Sequence, residues 1–131
     1  MPDAPTTQHA VEVFQRAAAA INAHEIDALA ALLSPDHLFV DSLGNRVTGA
    51  SSMHDAWAAY FAMCPDYHIH IDTLVSQGDI VLASGEAGGT IDGSTWRIPA
   101  AWQVTVANGL LAEWRVFADN KPVYEILARR R

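Results

Sequence analysis

The segment Thr95-Trp96-Arg97-Ile98-Pro99-Ala100-Ala101-Trp102-Gln103-Val104-Thr105-Val106 alternates strictly between two kinds of side chain. Trp96, Ile98, Ala100, Trp102, Val104 and Val106 share one face, while Thr95, Arg97, Pro99, Ala101, Gln103 and Thr105 share the other. A period of two marks a half-buried strand, because successive Cβ atoms point to opposite faces. Ala107-Asn108-Gly109 follows. Asn-Gly signals a tight hairpin because both residues tolerate positive φ. The returning strand is predicted to put Leu110, Ala112, Trp114, Val116 and Ala118 on the inner face, and Leu111, Glu113, Arg115, Phe117 and Asp119 on the outer. Pro99 cannot donate to a ladder, so an edge position or a bulge is expected there.

Upstream of that hairpin, Tyr67, Ile69, Ile71 and Thr73 alternate with His68, His70 and Asp72. Ser76-Gln77-Gly78-Asp79 reads as a turn, Ile80 to Ala87 suits a central strand, and Asp92-Gly93 closes another hairpin. Asp66 to Asp119 is therefore expected to form four successive strands of one curved antiparallel sheet.

The first half of the chain reads differently. Met1 to Thr6 is expected to be a loose arm, with helix one starting near Thr7 and carrying Val11, Phe14, Ala18 and Ile21 at helical spacing. Asn22-Ala23-His24 breaks the pattern; helix two follows with Ile26, Leu29, Leu32 and Leu33 and ends before Pro35. His37 to Asp41 reads as a short strand and Ser42 to Asn45 as a turn. Thr48-Gly49 leads into helix three, whose buried stripe is Met53, Trp57, Tyr60, Phe61 and Cys64. Helices segregated to one face of an antiparallel sheet define an α+β domain, here one domain over residues 1–131. A bent sheet closed by helices makes a cone with an apolar cavity, and pockets favour such mouths.

Composition narrows the function. The 131 residues carry a formal net charge of −7, and three of the eight basic residues are the terminal Arg129, Arg130 and Arg131. Nucleic-acid binding calls for a clustered basic face, so it is not expected. No apolar run approaches the roughly 20 residues of a membrane span, and the N-terminus has no basic-then-apolar leader pattern. The single cysteine, Cys64, permits no internal disulfide and suits a reducing compartment, so the cytoplasm is the expected location.

The ordered set of segments resembles the NTF2-like superfamily and, within it, the SnoaL-like group. The likeness is carried by Ile21 to Leu29, by Phe39-Val40-Asp41-Ser42-Leu43-Gly44 leading to Thr48-Gly49, and by Val75 to Val81. Asn108 to Arg115 and the closing Phe117-Ala118-Asp119 with Val123 to Leu127 complete it. The resemblance implies a cystatin-like cone with three helices on the concave face of the sheet. It also implies a pocket, which the superfamily uses for ketosteroid isomerisation, polyketide cyclisation, epoxide hydrolysis, dehydration or plain binding.

Asp41 falls where the resemblance places the steroid isomerases' general base. Their oxyanion donors correspond to about Ala17 and Trp102, which can supply neither a phenol nor a carboxyl. The aspartate that SnoaL-type cyclases carry on the last strand corresponds to Val116, and their pocket histidine falls near Trp102. The Asp-Arg-Asp set of limonene-type epoxide hydrolases corresponds to Val116 and to positions near Ala87 and Gly89. The chain departs from all three patterns.

The residues themselves leave alternatives. Asp41 reads either as a general base at a cavity mouth or as a turn residue bonding backbone amides in Ser42 to Asn45. His68, His70 and Asp72 share a face that could meet a metal, yet that face is the outer one, and no metal or other cofactor is expected. His9, His24, His37 and His54 read as surface positions, with His54 able to edge the pocket. Glu86 is either a paired structural carboxylate or a second acid, and Cys64 a small buried hydrophobe. Phe14, Ala17, Trp57, Tyr60, Trp102, Trp114 and Val116 are the expected substrate-binding wall, suited to a flat apolar ligand, with Tyr60 able to donate to a carbonyl. Arg97, Gln103, Glu113, Arg115 and Phe117 on the outer sheet face suit a homodimer interface. The chain is thus expected to be an enzyme acting on a small hydrophobic substrate through Asp41, a non-catalytic binder of a hydrophobic metabolite, or a protein-interaction dimer whose cavity is only core.

Overall fold

The computed structural model describes residues 3–129, with side chains from residue 9 onward. Helix α1 runs over Asp3–Ala23, so it begins before Thr7 and takes in most of the expected arm. Pro5 is tolerated there because the first-turn N–H groups have no helical acceptor. Met1, Pro2, Arg130 and Arg131 lie outside the described residues. The short α2, Ile26–Ala31, releases the chain earlier than Pro35 demands. Strand β1 is Leu33–Val40, longer than the expected His37–Asp41 and inclusive of Pro35. Its pairing is interrupted between Leu33 and Leu38, which is where a proline fits. A strand that the sequence reading lacked, β2 at Arg46–Thr48, pairs back on β1. Helix α3 covers Ala50–Met63.

The four long strands are β3 (His68–Gln77), β4 (Ile80–Ile91), β5 (Ser94–Ala107) and β6 (Leu110–Ala118). Asp92-Gly93 and Asn108-Gly109 turn the two hairpins with all four residues at positive φ, between 51° and 80°. The six strands form one sheet in the order β2-β1-β6-β5-β4-β3. The sheet is mixed rather than wholly antiparallel, because β1 runs parallel to β6. That pairing joins strands some 70 residues apart, and no local pattern announces it. A fourth helix, α4 at Lys121–Ala128, follows β6. The α+β class and the curved sheet with helices on its concave side are as expected.

Two bulges redistribute side chains between the faces. Ala112 is the extra residue between the pairs Val106↔Leu111 and Thr105↔Glu113. Leu111 is consequently fully buried, and Leu110, assigned inward by simple alternation, is not. Asp72 is extra between Ile71↔Gly85 and Thr73↔Ser84, which turns Thr73 outward. Pro99 sits inside β5 and pairs with Glu86, but the β5–β6 ladder starts only at Ala100↔Ala118. On the β6 side Pro99 thus has the local edge position that its missing N–H calls for.

The core lies between α1 and the concave face. Val13, Phe14, Ala17 and Ile21 pack with Val81, Val104 and Leu111. Among the described residues, no helix is long and apolar enough to cross a membrane.

Candidate functional site

The concave face is not filled to its far end. A cavity of about 310 Å³ remains beside the α1 core, bounded by β3–β6, α3, α4 and the β1–β2 loop. That is at the lower end of the roughly 300–1,000 Å³ usual for small-molecule pockets. Trp57 and Tyr60 from α3, Trp96 and Trp102 from β5, Trp114 and Val116 from β6, and Tyr67 ahead of β3 form its walls. Period-two spacing brings Trp96, Ile98, Ala100 and Trp102 to one side of β5, and all four line the cavity. The alanines leave the space that the tryptophans enclose.

Of the expected wall, Trp57, Tyr60, Trp102, Trp114 and Val116 line the cavity. Phe14 and Ala17 do not. α1 presses so closely on the sheet that both are sealed in the core, at 1% and 0% exposure. Phe14 stacks against Trp114, centroids 5.5 Å apart, and so acts only on that wall residue. The reading missed Tyr67 and Trp96 as wall residues. Both stood on the inward side of the recognised alternation, so the information was present; what was lacking was the helix above each.

At the mouth, Asp41 lines the cavity, but its carboxylate is committed. Oδ1 accepts from the amides of Leu43 and Asn45, each at 2.9 Å, and Oδ2 from Asn45 Nδ2 at 3.1 Å. This is the turn role, in which the side chain stands in for a backbone acceptor. Gly44, at φ +86°, completes the turn. Across the mouth, Asn120 Nδ2 donates to Ser42 Oγ at 2.7 Å. That bond ties the start of α4, whose Val123 and Leu127 reach the cavity, to the β1–β2 loop.

The inner end is built around the corner Cys64-Pro65-Asp66-Tyr67. Asp66 accepts from the amide and hydroxyl of Thr90, at 2.7 and 2.8 Å. Those bonds, the hydroxyl's first, hold its carboxyl below the usual range. The Tyr67 amide donates to the Cys64 carbonyl at 3.0 Å, and its carbonyl meets His24 Nε2 at 2.6 Å. His24 in turn stacks on Phe61, centroids 4.1 Å apart. Asn22 accepts from the Ile69 amide and donates to the Ile69 carbonyl, so α1 covers the free edge of β3.

The Tyr67 ring meets Tyr60 edge to face, centroids 4.9 Å apart, and lies 6.0 Å from Trp96. Among the described residues, neither the Tyr60 nor the Tyr67 hydroxyl has a hydrogen-bond partner, yet neither is sealed off from water-sized space. Burial pushes both phenols well above their usual range; the Cys64 thiol and Tyr124 add to the effect at Tyr60, and Tyr60 and Cys64 at Tyr67. Both are neutral donors throughout the physiological range. The Trp96 indole N–H is closed off in the wall and, among the described residues, has no acceptor other than the nearby Cys64 sulfur.

The other candidates fall away from the cavity. His68, His70 and Asp72 are exposed on the outer face, His70 pairing with Asp72 at 3.1 Å. No group of metal-ligating side chains forms among the described residues. Glu86 pairs with Arg97 at 3.0 Å on the outer face, which makes it structural rather than a second acid. His54 ties Asp27 and Asp55 together instead of edging the pocket. Two histidines read as surface positions are structural: His24, described above, and His37. His37 is 1% exposed in β1 with Nδ1 2.7 Å from the Leu111 carbonyl. Desolvation lowers its pKa. Burial raises that of Cys64, whose thiol donates to Asp66 Oδ1 at 3.7 Å and whose sulfur packs against Gly89.

A sequence profile of the SnoaL-like domain matches residues 14–114. The chain belongs to the SnoaL-like domain family. Solved structures agree with that membership. A protein described as a SnoaL-like polyketide cyclase from Jannaschia is 20% identical, with a TM-score of 0.83 and 92% of each chain covered. An LEH-like epoxide hydrolase from M. tuberculosis is 17% identical, with a TM-score of 0.82, covering 94% of this chain and 92% of its own. A protein of ketosteroid isomerase-like fold from Catenulispora acidiphila, solved with trimethylamine, is 25% identical, with a TM-score of 0.75 and coverage of 81% and 84%. No curated protein matches the chain in sequence. At such identities the SnoaL-like neighbours establish the fold, and the activity has to be argued from the site.

Proposed function

We propose that this SnoaL-like protein binds a small, apolar, ring-bearing molecule in the cone. The observation that carries the reading is the cavity itself: about 310 Å³ walled by Trp57, Tyr60, Tyr67, Trp96, Trp102 and Trp114, with no lysine, arginine or histidine in the wall among the described residues. Aromatic walls stack on rings, and a lining whose one charged group is the Asp41 carboxylate selects against anionic ligands. No cofactor is needed for such binding. The single thiol is buried, which fits a reducing compartment such as the cytoplasm.

A second reading, catalysis with Asp41 as general acid or base in an isomerase, cyclase or hydrolase reaction, is favoured by the position of Asp41 on the cavity. Against it stand the three loop bonds that already hold the carboxylate.

The test is ligand-induced thermal stabilisation across pH with steroids, polyketide-like aromatics and terpene epoxides, for wild type and Asp41→Asn. A ligand that binds only the folded state raises the melting temperature by mass action. Shifts that ignore both pH and the substitution support the binder. A shift that follows a carboxylate titration and vanishes in Asp41→Asn puts Asp41 in the chemistry and makes turnover assays the next step.

We also propose a homodimer through the outer sheet face. To the expected Arg97, Gln103, Glu113, Arg115 and Phe117 this face adds Val75, Ile80 and Leu82, adjacent through the pairs Val75↔Leu82 and Ile80↔Thr105. Phe117 is 53% exposed and Leu82 46%. A dimer mass in light scattering at micromolar concentration, lost in Leu82→Glu, is the expected result; a monomer mass for the wild type would refute it.

A further inference from the structure

We propose that Tyr60 and Tyr67 form an acceptor-oxygen site at the inner end of the cavity, which selects a ring carrying a ketone or phenol oxygen over the bare hydrocarbon or a carboxylic acid. This rests on the binding reading above and deepens it by naming the polar group the ligand presents.

Three polar groups in the cavity wall are already used. Asp41, Ser42 and Asn120 are each bonded within the protein. Tyr124 is 42% exposed at the mouth, open to solvent rather than enclosed. Tyr60 and Tyr67 are the lining phenols left with accessible, unpartnered hydroxyls among the described residues. A buried tyrosine hydroxyl ordinarily finds a partner. Two neighbouring ones that find none in the protein are matched by an acceptor brought in by a ligand.

The corner is also rigid before anything binds. The Tyr67 backbone is held by His24 and Cys64, the preceding residue is held by Thr90, and the Tyr67 ring is braced by Tyr60 and Trp96. Donors fixed in advance lose little freedom when an acceptor arrives. The site differs from the oxyanion arrangement that the steroid isomerase resemblance implies, since the positions corresponding to those donors are Ala17, sealed in the core, and Trp102.

The acceptor class follows from charge. Both hydroxyls are neutral donors, no cationic side chain among the described residues lines the cavity, and Asp41 stands at the mouth. A carboxylate entering there would shed its hydration shell without gaining a counter-charge. A ketone oxygen, or a phenol oxygen, would gain a hydrogen bond from this phenol pair at little desolvation cost.

Three probes of equal ring size test the proposal on the full-length protein: naphthalene, 2-naphthol and 2-naphthoate, with affinities from tryptophan fluorescence quenching. Wild type is expected to bind 2-naphthol about tenfold more tightly than naphthalene, as a net hydrogen bond implies, with 2-naphthoate weakest. Tyr60→Phe and Tyr67→Phe keep the rings and hence the packing. Each is expected to lose about three- to tenfold for 2-naphthol while holding naphthalene within about twofold, and the double variant should bind the two equally. Equal affinities for naphthol and naphthalene in wild type, or a naphthol preference that survives in both single variants, would overturn the proposal while leaving the pocket intact. No binding of any probe to a folded wild type would remove the pocket reading, and this site with it.

Discussion

The two ends of the cavity treat their polar groups in opposite ways. At the mouth, Asp41, Ser42, Asn45 and Asn120 are engaged with one another or with the loop backbone. At the inner end, the Tyr60 and Tyr67 hydroxyls point to nothing in the protein, although their rings and the Tyr67 backbone are tightly held. The residue that sequence reasoning selects first, Asp41, is thus the one whose chemistry is already consumed in shaping a turn. Polar groups satisfied internally serve the fold, and it is those left over on a rigid frame that are free for recognition.

That contrast can be broken at several points. The largest effect is expected from Gly89→Ala at the inner end. A Cβ there would lie 2.3 Å from Cys64 Sγ and 3.2 Å from Tyr67 Cα, and Cys64 is fully buried with nowhere to move. Overpacking of this kind costs about 1–3 kcal/mol, which should lower the melting temperature by roughly 5–10 °C for a chain of this size. An unchanged melting curve would mean that the corner yields, and the rigid-frame argument would fail.

Next comes Asp41→Ala, which removes the turn's acceptors. The expected cost is about 1 kcal/mol of stability, as for the loss of a capping carboxylate, with the affinity for a cavity ligand kept within about twofold. A large loss of affinity at unchanged stability would reverse the two ends' roles.

The pH dependence should separate the ends as well. The folded-state pKa of His37 is depressed by burial, so the folded protein holds fewer protons than the unfolded chain once pH drops below about 6.5. The stability His37 contributes is present above that value and is lost as pH falls through the window between the unfolded and folded pKa values. His37 sits in β1, which carries the mouth loop, and its carbonyl accepts from the Gly49 amide at 2.7 Å. Amide protection in β1 and β2 is therefore expected to weaken below pH 6.5 before that of β4 and β5. His37→Asn, which can retain the bond to the Leu111 carbonyl, should flatten the response. Uniform loss of protection across the sheet would contradict this.

The smallest effect is expected from Ser42→Ala. Losing one half-buried bond to Asn120 costs about 0.5 kcal/mol, and its trace should be faster ligand association in stopped flow, since the tie between α4 and the β1–β2 loop is gone. Unchanged association kinetics would show that the mouth does not limit entry.

Much of this molecule is written in its local sequence. The alternation of Thr95 to Val106, with Asn108-Gly109 and Asp92-Gly93 at their turns, dictates the long hairpins, because side-chain period and positive φ are properties of a few adjacent residues. The helical stripes of α1 and α3 are legible for the same reason, and so are five wall residues, from Trp57 to Val116. The tertiary structure decided the rest. Parallel β1–β6 pairing, the insertion of Ala112 that buries Leu111, and the closeness of α1 that seals Phe14 and Ala17 all depend on segments far apart in the chain. Whether a polar side chain is available is decided in the same way. Asp41 found its partners within four residues, whereas Tyr60 and Tyr67 could be recognised as unpartnered only once every neighbouring element was in place.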